Sequence, residues 1–351
     1  MGIQPLAKQR LEQCFMNIKL SRIAGYSIIA GVGLSLLTAC GGGSSAKAST
    51  ASFSVTDAPV DDIDAVKITF SRIDLKPASG DVVSLTFDEP VVIPNLLDLT
   101  GNAASPIISD AVVPAGDYQW LRIYVNGGFP DSTVLPKLGN EADLFIPGQQ
   151  NGNSSNGTPR SLKLNTSFTV PAGGNADFTI DFVLRKGLTK PANDKGYYLL
   201  RPAMRLVNNV EVGTIAGSVD ATVIASNACS GSTGRSVYLY EGDLNANDQV
   251  PDDIYDPGIN AGSDEVDENV SGQRPISSAE VSQDDAGAYR FEIGFVRATT
   301  AGYSVALTCQ SSLDDAASDD DISFTQVIPV VVAANQTSTV SFSDVPVASA
   351  P

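Results

Sequence analysis

Oxygen-bearing side chains recur at alternate positions in the segment DLNANDQVPDDIYD, residues 243–256. Carboxylate and amide oxygens are the ligands that Ca²⁺ prefers in proteins. The side chains predicted as calcium ligands are Asp243, Asn245, Asn247, Asp248 and Asp252. The segment fails the twelve-residue EF-hand template, because Asp248 stands where that loop needs glycine and Ile254 where it needs glutamate. The sequence therefore favours a solvated acidic loop that continues through residues 262–272, and the alternative is a looser calcium site that uses Asp252, Asp253 or Asp256.

Two further acidic clusters could face a ligand. The segment TDAPVDD, residues 56–62, contains Asp57, Asp61 and Asp62, and Asp64 lies two positions after it. They could hold a cation or face a ligand, but the pattern favours a turn in which Pro59 fixes φ and aspartates accept hydrogen bonds from nearby backbone N–H groups. The run DDAASDDD, residues 314–321, is interpreted as a solvated hairpin loop.

The cysteine at the end of LLTAC has a different chemistry. Residues 23–37 are apolar and uncharged, and fifteen residues are too few for a membrane span, which needs about 20. Basic residues precede this run and small residues follow it, as in a secretory signal peptide. The end of the run resembles the lipobox of bacterial lipoproteins, with Leu37 at −3 and Cys40 at +1. The resemblance implies cleavage before Cys40, a lipid on its thiol and, because Gly41 is not acidic, sorting to the outer membrane. The competing interpretation is an ordinary signal peptide with a coincidental cysteine.

Residues 1–39 are accordingly predicted to be a signal peptide. The stretch that opens at Met16 has all the parts of such a signal, so translation is expected to start there. Residues 40–50, rich in glycine and serine, are predicted to be a flexible tether.

Two cysteines remain in the exported chain, Cys229 and Cys309. An exported pair is expected to oxidise, so a disulfide is predicted over two free thiols. A zinc site is not favoured, because the chain has no histidine.

Charge and composition exclude several functions. The chain has 40 acidic and 22 basic residues, and the first 40 positions contain one of the acidic and four of the basic residues. The exported part therefore has 39 acidic and 18 basic residues and a formal net charge of −21. Such a surface repels nucleic acid, which is therefore not an expected partner. The absence of histidine excludes Ser-His-Asp and Cys-His catalysis. Paired carboxylates could still perform acid–base chemistry, but their number makes that signal unspecific.

The elements that must position these residues are predicted to be strands. No segment shows a sustained helical period, whereas alternation recurs in residues 65–75, 117–125 and 176–184. In the second of these, Tyr118, Trp120, Arg122 and Tyr124 are predicted to share one face. Turn signals at residues 114–116 and 171–174 separate the strands. The pattern predicts an all-β chain of two antiparallel sandwiches.

The motif order in the first half resembles a known family. FSVTDAPVDDIDAVKITFSRIDL (53–75), NLLDLTG (95–101), VPAGDYQWLRIYV (113–125), RSLKLNTSFTVPAGGNADFTIDFVLRKGL (160–188) and YYLLRPAMRLV (197–207) follow one another. Together they resemble the bacterial domain of unknown function family 4382 over residues 51–207. Val183 stands where members of that family often have a second aspartate. The resemblance implies a secreted or lipid-anchored sandwich and no agreed activity.

The second half, residues 208–346, is predicted to be another sandwich, with an acidic insertion at 241–275 and a tail at 347–351. GTIAGSVDATV (213–223), the later DDAGAYRFEI and GYSVALTC (302–309) resemble the transthyretin-like regulatory domain that follows some carboxypeptidases. That resemblance implies a small sandwich without catalytic machinery.

These features predict a non-catalytic protein of the bacterial cell envelope, anchored to the outer membrane by lipid on Cys40. It would have a binding or structural role toward an envelope protein or a glycan and no cofactor except, in one alternative, Ca²⁺. That alternative is a calcium-stabilised adhesin or assembly component. A carboxylate-dependent enzyme acting on glycans is the remaining alternative.

Overall fold

The computed structural model describes residues 48–149, 159–191, 195–226, 229, 234–255 and 272–343. Within these residues nearly all of the regular structure is β-strand and the helices are single turns, which confirms the predicted all-β fold class. The strands lie in one compact unit, Ala46–Pro351. The strands of its first half are β1 (Thr50–Ala58), β2 (Ile63–Pro77), β3 (Val83–Ile93), β4 (Ser105–Val112), β5 (Gly116–Asn126), β6 (Thr133–Pro136), β7 (Ala142–Phe145), β8 (Arg160–Leu164), β9 (Phe168–Val170), β10 (Asn175–Val183), β11 (Leu188–Thr189), β12 (Tyr197–Leu200) and β13 (Met204–Asn208).

These strands form two sheets that face each other. One has the order β13-β10-β1-β4, and the other has the order β11-β12-β7-β6-β2-β5-β8, with β3 beside β2 and β9 beside β5. A 3₁₀ turn (Leu96–Asp98) and a one-turn helix α1 (Leu184–Gly187) join strands. Buried side chains of both sheets, among them Phe53, Phe70, Leu121 and Phe178, form one apolar core. Burial of this core is the main stabilising contribution to the first sandwich.

Two bulges set which side chains of β2 and β5 face the core. Phe70 pairs with Val125 and Arg72 with Tyr124, so Ser71 is an extra residue on β2. Lys76 pairs with Trp120 and Pro77 with Tyr118, so Gln119 is an extra residue on β5. The second bulge corrects the prediction that Tyr118 shares a face with Trp120. Tyr118 is buried, stacks on the ring of Phe168 with centroids 4.9 Å apart, and donates a hydrogen bond to Pro114 O.

The second half forms another pair of sheets. Its strands are β14 (Val212–Val219), β15 (Ser236–Glu241), β16 (Ser277–Glu280), β17 (Ser282–Gln283), β18 (Tyr289–Arg297), β19 (Thr299–Thr308), β20 (Phe324–Val332) and β21 (Thr337–Phe342), with a one-turn helix α2 (Ala221–Ile224) and a 3₁₀ turn (Ser311–Leu313). The sheet orders are β17-β18-β14-β21 and β16-β15-β19-β20. Between them lies a second apolar core that includes Ile215, Leu239, Val305 and Phe342.

Both halves use the same closing turn. In each, the first strand runs parallel to a late strand, β1 beside β10 and β14 beside β21. A four-residue turn precedes the late strand in each half, and the N–H of the fourth turn residue donates a hydrogen bond to the carbonyl of the first. Gly174 N donates to Pro171 O, and Gln336 N donates to Ala333 O, both at 3.2 Å. The third position has positive φ in both turns, 65° at Gly173 and 57° at Asn335. Glycine and asparagine are the residues that tolerate this conformation best.

The acidic loops of the second half pack on protein, in contrast to the solvated loop predicted for residues 314–321. Leu244, Ile254 and Ala316 are buried against Tyr238 and Tyr240 on the outer surface of the β15 sheet. They form a third apolar layer because tyrosines on this face leave apolar ring area that the loops cover. The charged residues of these loops are therefore held at fixed positions.

Candidate functional site

Two clefts open where the sandwiches meet. The larger, named here the polar cleft, has a volume of about 750 Å³. Its charged lining residues are Asp64, Asp98 and Lys137 of the first sandwich and Glu280, Arg290 and Glu292 of the second. The other, named the Arg185 cleft, has a volume of about 660 Å³ and is lined by Asp61, Lys137, Arg185, Lys190, Tyr198 and Asp314. Clefts shared by two domains are common places for ligands.

One close backbone contact fixes the wall of the polar cleft. A Cβ atom at Gly294 would lie 2.0 Å from Gly101 O, so only glycine allows the two backbones to approach this closely. Beside it, Asn102 N donates to Glu292 Oε1 at 3.0 Å and Thr214 Oγ1 donates to Asn102 Oδ1 at 2.8 Å. The segment before Asn102 is NLLDLTG, so this part of the family motif contacts the second sandwich.

The helix α1 positions Arg185 between the sandwiches. Leu184 is buried, and its N–H donates to Asp57 Oδ1 at 3.3 Å, which fixes the first residue of the turn. Burial, together with the charge of Asp181, raises the pKa of Asp57 well above its usual value. Asp57 is therefore a buried carboxyl group at the end of β1 that accepts hydrogen bonds from the backbone N–H groups of Leu184 and Ala58, and the chain turns after it at residues 61–62.

The guanidinium of Arg185 joins groups from both sandwiches. It forms an ion pair with Asp61 and donates to Ser311 O at 2.8 Å and to Ser236 Oγ at 3.1 Å. Its Cζ lies 5.7 Å from the ring centroid of Tyr238, and its side chain is 3% exposed. Burial opposes the charge, but Tyr238 and Asp61 outweigh it and raise the pKa of Arg185. Asp62 is exposed and lines the Arg185 cleft together with Asp61, whereas Asp64 lines the polar cleft and Asp57 is buried, so the four predicted aspartates do not form one site.

Asp314 connects this ion pair to the acidic loops. Tyr238 Oη donates to Asp314 Oδ2, and Ile254 N donates to Asp314 Oδ1 at 3.2 Å. Burial raises the pKa of Asp314 to about 7, although the hydrogen bond from Tyr238 and the charge of Arg185 act in the opposite direction. The backbone of the loop at Ile254 is thus fixed by a carboxyl group that also lines the Arg185 cleft.

Two groups of three carboxylates occur in the described residues. Within each group one oxygen per residue lies within 4.8 Å of the others, and the groups are Asp252, Asp253 and Asp319, and Asp253, Asp314 and Asp320. Asp253 is buried, and it accepts hydrogen bonds from Tyr255 N and Asp320 N. Burial raises its pKa.

The structure brings two of the predicted calcium ligands, Asp252 and Asp253, into these groups, and Asp256 lies outside the described residues. Asp243 Oδ1 instead accepts from Ala246 N at 3.1 Å, and Asn245 Nδ2 donates to Val327 O at 3.2 Å. Asn247 donates its backbone N–H to Asp243 O, and Asp248 has a positive φ of 53°. These four residues form a turn on the surface of the β20 strand, and calcium binding stays a prediction.

The positions of Asp253 and Asp314 are relevant to the alternative of a carboxylate-dependent enzyme. Asp314 and Asp253 both have raised pKa values, yet Asp253 lies behind Asp314 and does not line the Arg185 cleft. The oxygens of both residues accept hydrogen bonds from the loops and from Tyr238. Among the described residues the pair is therefore arranged to hold the loops in place.

Cys229 and Cys309 form a disulfide with Cα atoms 5.1 Å apart, and both residues are buried. Ser311, whose carbonyl accepts from Arg185, follows Cys309 by two positions, so the disulfide fixes one side of the junction. Cys40, Met16 and the predicted signal peptide lie outside the described residues. No helix in the described ranges is long and apolar enough to cross a membrane.

Comparison with known families finds a match in the first sandwich. Residues 48–202 match the family model of DUF4382, a domain of unknown function. The resemblance read from the motifs of residues 51–207 is thereby confirmed, whereas the transthyretin-like resemblance of the second half stays a prediction. No curated protein matches the chain.

Solved structures with similarity to the chain come from Bacteroides. A candidate adhesin of Bacteroides ovatus is 10% identical, with 85% of this chain and 94% of that chain covered and a TM-score of 0.20. A candidate cell adhesion protein of Bacteroides eggerthii is 12% identical, with 84% of this chain and 86% of that chain covered and a TM-score of 0.19. A candidate polysaccharide-binding protein of Bacteroides thetaiotaomicron is 12% identical, with 75% of this chain and 77% of that chain covered and a TM-score of 0.16.

Proposed function

We propose that this chain is a non-catalytic binding protein of the bacterial cell envelope, which holds a protein or glycan partner in the polar cleft between its two sandwiches. The observation that carries the proposal is the polar cleft itself. It is lined by charged side chains of both sandwiches, and the contact of Gly294 with Gly101 fixes its width. A preformed cleft binds without the entropic cost of ordering its walls.

The anchor belongs to the same proposal. Lipid on Cys40 and a short tether would keep the sandwiches at the surface of the outer membrane. Two or more acyl chains give durable attachment, at about 0.8 kcal/mol per buried CH₂. Cys40→Ser is expected to stop lipid labelling and to release the protein from the membrane fraction. Unchanged membrane attachment of that variant contradicts the anchor and leaves the cleft unaffected.

Site-specific photo-crosslinking in intact cells tests the cleft. A crosslinking residue replaces Asp98 on the first wall or Glu280 on the second, and the controls replace Val210 and Val331, which are 66% and 65% exposed and do not line either cleft. We expect the same partner to be captured from both walls and not from the control positions. Capture that is equal at all four positions, or none at the cleft positions, refutes the proposal.

Calcium stabilisation is a second candidate, which the two carboxylate groups around Asp253 favour. In this version the ion stabilises the acidic loops and, through Asp314, the junction at Arg185. The protein would then be a calcium-stabilised adhesin or assembly component.

A further inference from the structure

The outer surface of the larger sheet in the first sandwich carries cations and aromatic rings in alternation. Across the neighbouring strands β2, β5 and β8, Arg72 pairs with Tyr124, Lys76 with Trp120, and Arg122 with Lys163. The bulge at Ser71 turns Arg72 and Lys76 to this surface. We name these six residues the basic–aromatic face. Asp74, paired with Arg122, lies among them.

The aromatic rings hold the cations in place. The Cζ of Arg72 lies 3.8 Å from the ring centroid of Tyr124. The Cζ of Arg122 and the Nζ of Lys163 lie 4.6 Å and 5.3 Å from the ring centroid of Trp120. Attraction to the ring quadrupole orders long side chains that are otherwise mobile. An anion that binds here therefore meets cations that are already positioned.

Arg122 and Lys163 are not neutralised by the protein. Neither has a carboxylate partner in the described residues, although the chain beyond Cys40 contains 39 acidic residues. Asp74 forms an ion pair with Arg72, 3.0 Å between Oδ1 and Nε, and accepts from Tyr124 Oη at 2.8 Å. Four cations and one carboxylate leave the face with a formal charge of +3 in a strongly acidic protein.

The remaining side chains of the face indicate what kind of anion fits. On the flanking strands β3 and β8, Thr86 is paired with Arg72, Ser84 with Asp74 and Ser161 with Tyr124, and none of these three positions is aliphatic. A protein interface normally has an apolar centre that is poor in lysine, which this face lacks. Hydroxyl groups, guanidinium groups and ring edges match a sugar polymer that carries carboxylates, because arginine binds carboxylates in a bidentate manner.

We propose that the basic–aromatic face binds an acidic polysaccharide through its carboxylate groups. Neighbouring strands lie about 4.8 Å apart, so Arg122 and Lys163 present two cations side by side to one chain. The face belongs to the first sandwich alone and does not share a residue with the polar cleft. The experiment on this face therefore tests the proposal independently of the function proposed for that cleft.

Polygalacturonate is the probe, titrated into the full chain in a neutral detergent. Binding is followed by calorimetry and by the fluorescence of Trp120, which is the only tryptophan of the sequence and lies in the face. The test variant is Arg122→Gln with Lys163→Gln. The matched control is Arg297→Gln with Lys195→Gln, which removes the same charge at exposed positions outside the face. Circular dichroism checks that both variants are folded.

We expect saturable binding that changes Trp120 fluorescence and weakens with added salt. The test variant should lose at least about tenfold in affinity, as expected for two lost charge-assisted hydrogen bonds, and the control less than about twofold. Fully methyl-esterified polygalacturonate should bind much more weakly. Absence of binding, equal binding of the ester, or equal losses in the two variants overturns the proposal. Tighter binding of phosphatidylglycerol vesicles or of an oligothymidylate than of polygalacturonate also overturns it, because the face would then be a general anion surface.

Discussion

Arg185 is expected to couple the two sandwiches, and its replacement by methionine tests this directly. Arg185→Met keeps most of the side-chain volume but removes the charge that Asp61 faces. The side chains of Arg185 and Asp61 are 3% and 10% exposed, so the carboxylate would stay buried without a partner. Removal of one member of a buried ion pair costs about 3–5 kcal/mol. The hydrogen bonds to Ser311 O and Ser236 Oγ are lost in the same step.

Two spectroscopic signals can separate the sandwiches during urea unfolding. Trp120 is the only tryptophan and lies in the first sandwich, whereas far-ultraviolet circular dichroism follows the strands of both. In the parent chain we expect the two transitions to coincide, as they do for one cooperative unit. In Arg185→Met we expect both a loss of about 3–5 kcal/mol and separate midpoints, because the buried ion pair is lost from the contacts that join the halves.

The matched control is Arg290→Met, which breaks the exposed pair with Asp284. Exposed pairs contribute about 0–1 kcal/mol, so the control should remain close to the parent chain. The double variant Asp61→Leu with Arg185→Met should recover much of the loss, since an apolar pair leaves no buried charge. A loss in Arg185→Met as small as in the control, with coincident transitions, refutes the coupling role of Arg185.

Three further predictions follow from the second sandwich and its loops. Because burial raises the pKa of Asp314 to about 7, the folded chain keeps a proton that the unfolded chain releases near pH 4, so stability falls as pH rises through this range. Between pH 5 and pH 8 this group should lower the free energy of unfolding by about 2–3 kcal/mol. Asp314→Asn should remove that part of the pH dependence of the urea midpoint. A pH dependence of the midpoint that is the same in the variant and the parent chain contradicts the prediction. Reduction of the disulfide closed over 80 residues should lower stability by about 2–4 kcal/mol in a melting experiment, and the variant Cys229→Ser with Cys309→Ser should no longer respond to reductant. Millimolar Ca²⁺ is expected to raise the melting temperature of the parent chain. If Asp319→Asn loses this rise, the ion binds at the carboxylate groups, and if Asp243→Ala loses it, the ion binds at the turn of residues 243–248. If the melting temperature of the parent chain does not rise, calcium binding is eliminated.

Local alternation predicted the strands well, because one buried face per strand leaves a period of two in the sequence. It failed at Tyr118, where the extra residue Gln119 reverses the faces without any change in residue type. The pairing of Cys229 with Cys309 was predictable, since they are the only two cysteines beyond Cys40. Bulges depend on pairing between strands, and a single strand contains too little information to locate them.

The functional surfaces were predictable only in part. Asp61 and Arg185 are 124 residues apart, and their contact depends on where two sandwiches meet, which no local pattern reports. The acidic loops seemed solvated because Leu244, Ile254 and Ala316 have no regular spacing, although these apolar residues were the available signal for burial. On β5 the sequence placed Trp120, Arg122 and Tyr124 together, but their neighbours Arg72 and Lys163 require the strand register.

The distribution of ion pairs links these surfaces. Five arginines of the described residues form ion pairs: Arg72 with Asp74, Arg185 with Asp61, Arg205 with Asp181, Arg290 with Asp284 and Arg297 with Glu211. With about two acidic residues for every basic one beyond Cys40, a partner for any cation is readily available. Arg122 and Lys163, like Lys190 and Arg235, lie over an aromatic ring instead. A ring orders a cation without neutralising it, so the charge remains available to an external anion. An acidic protein can thus repel most polyanions over its surface and still accept one at a defined face.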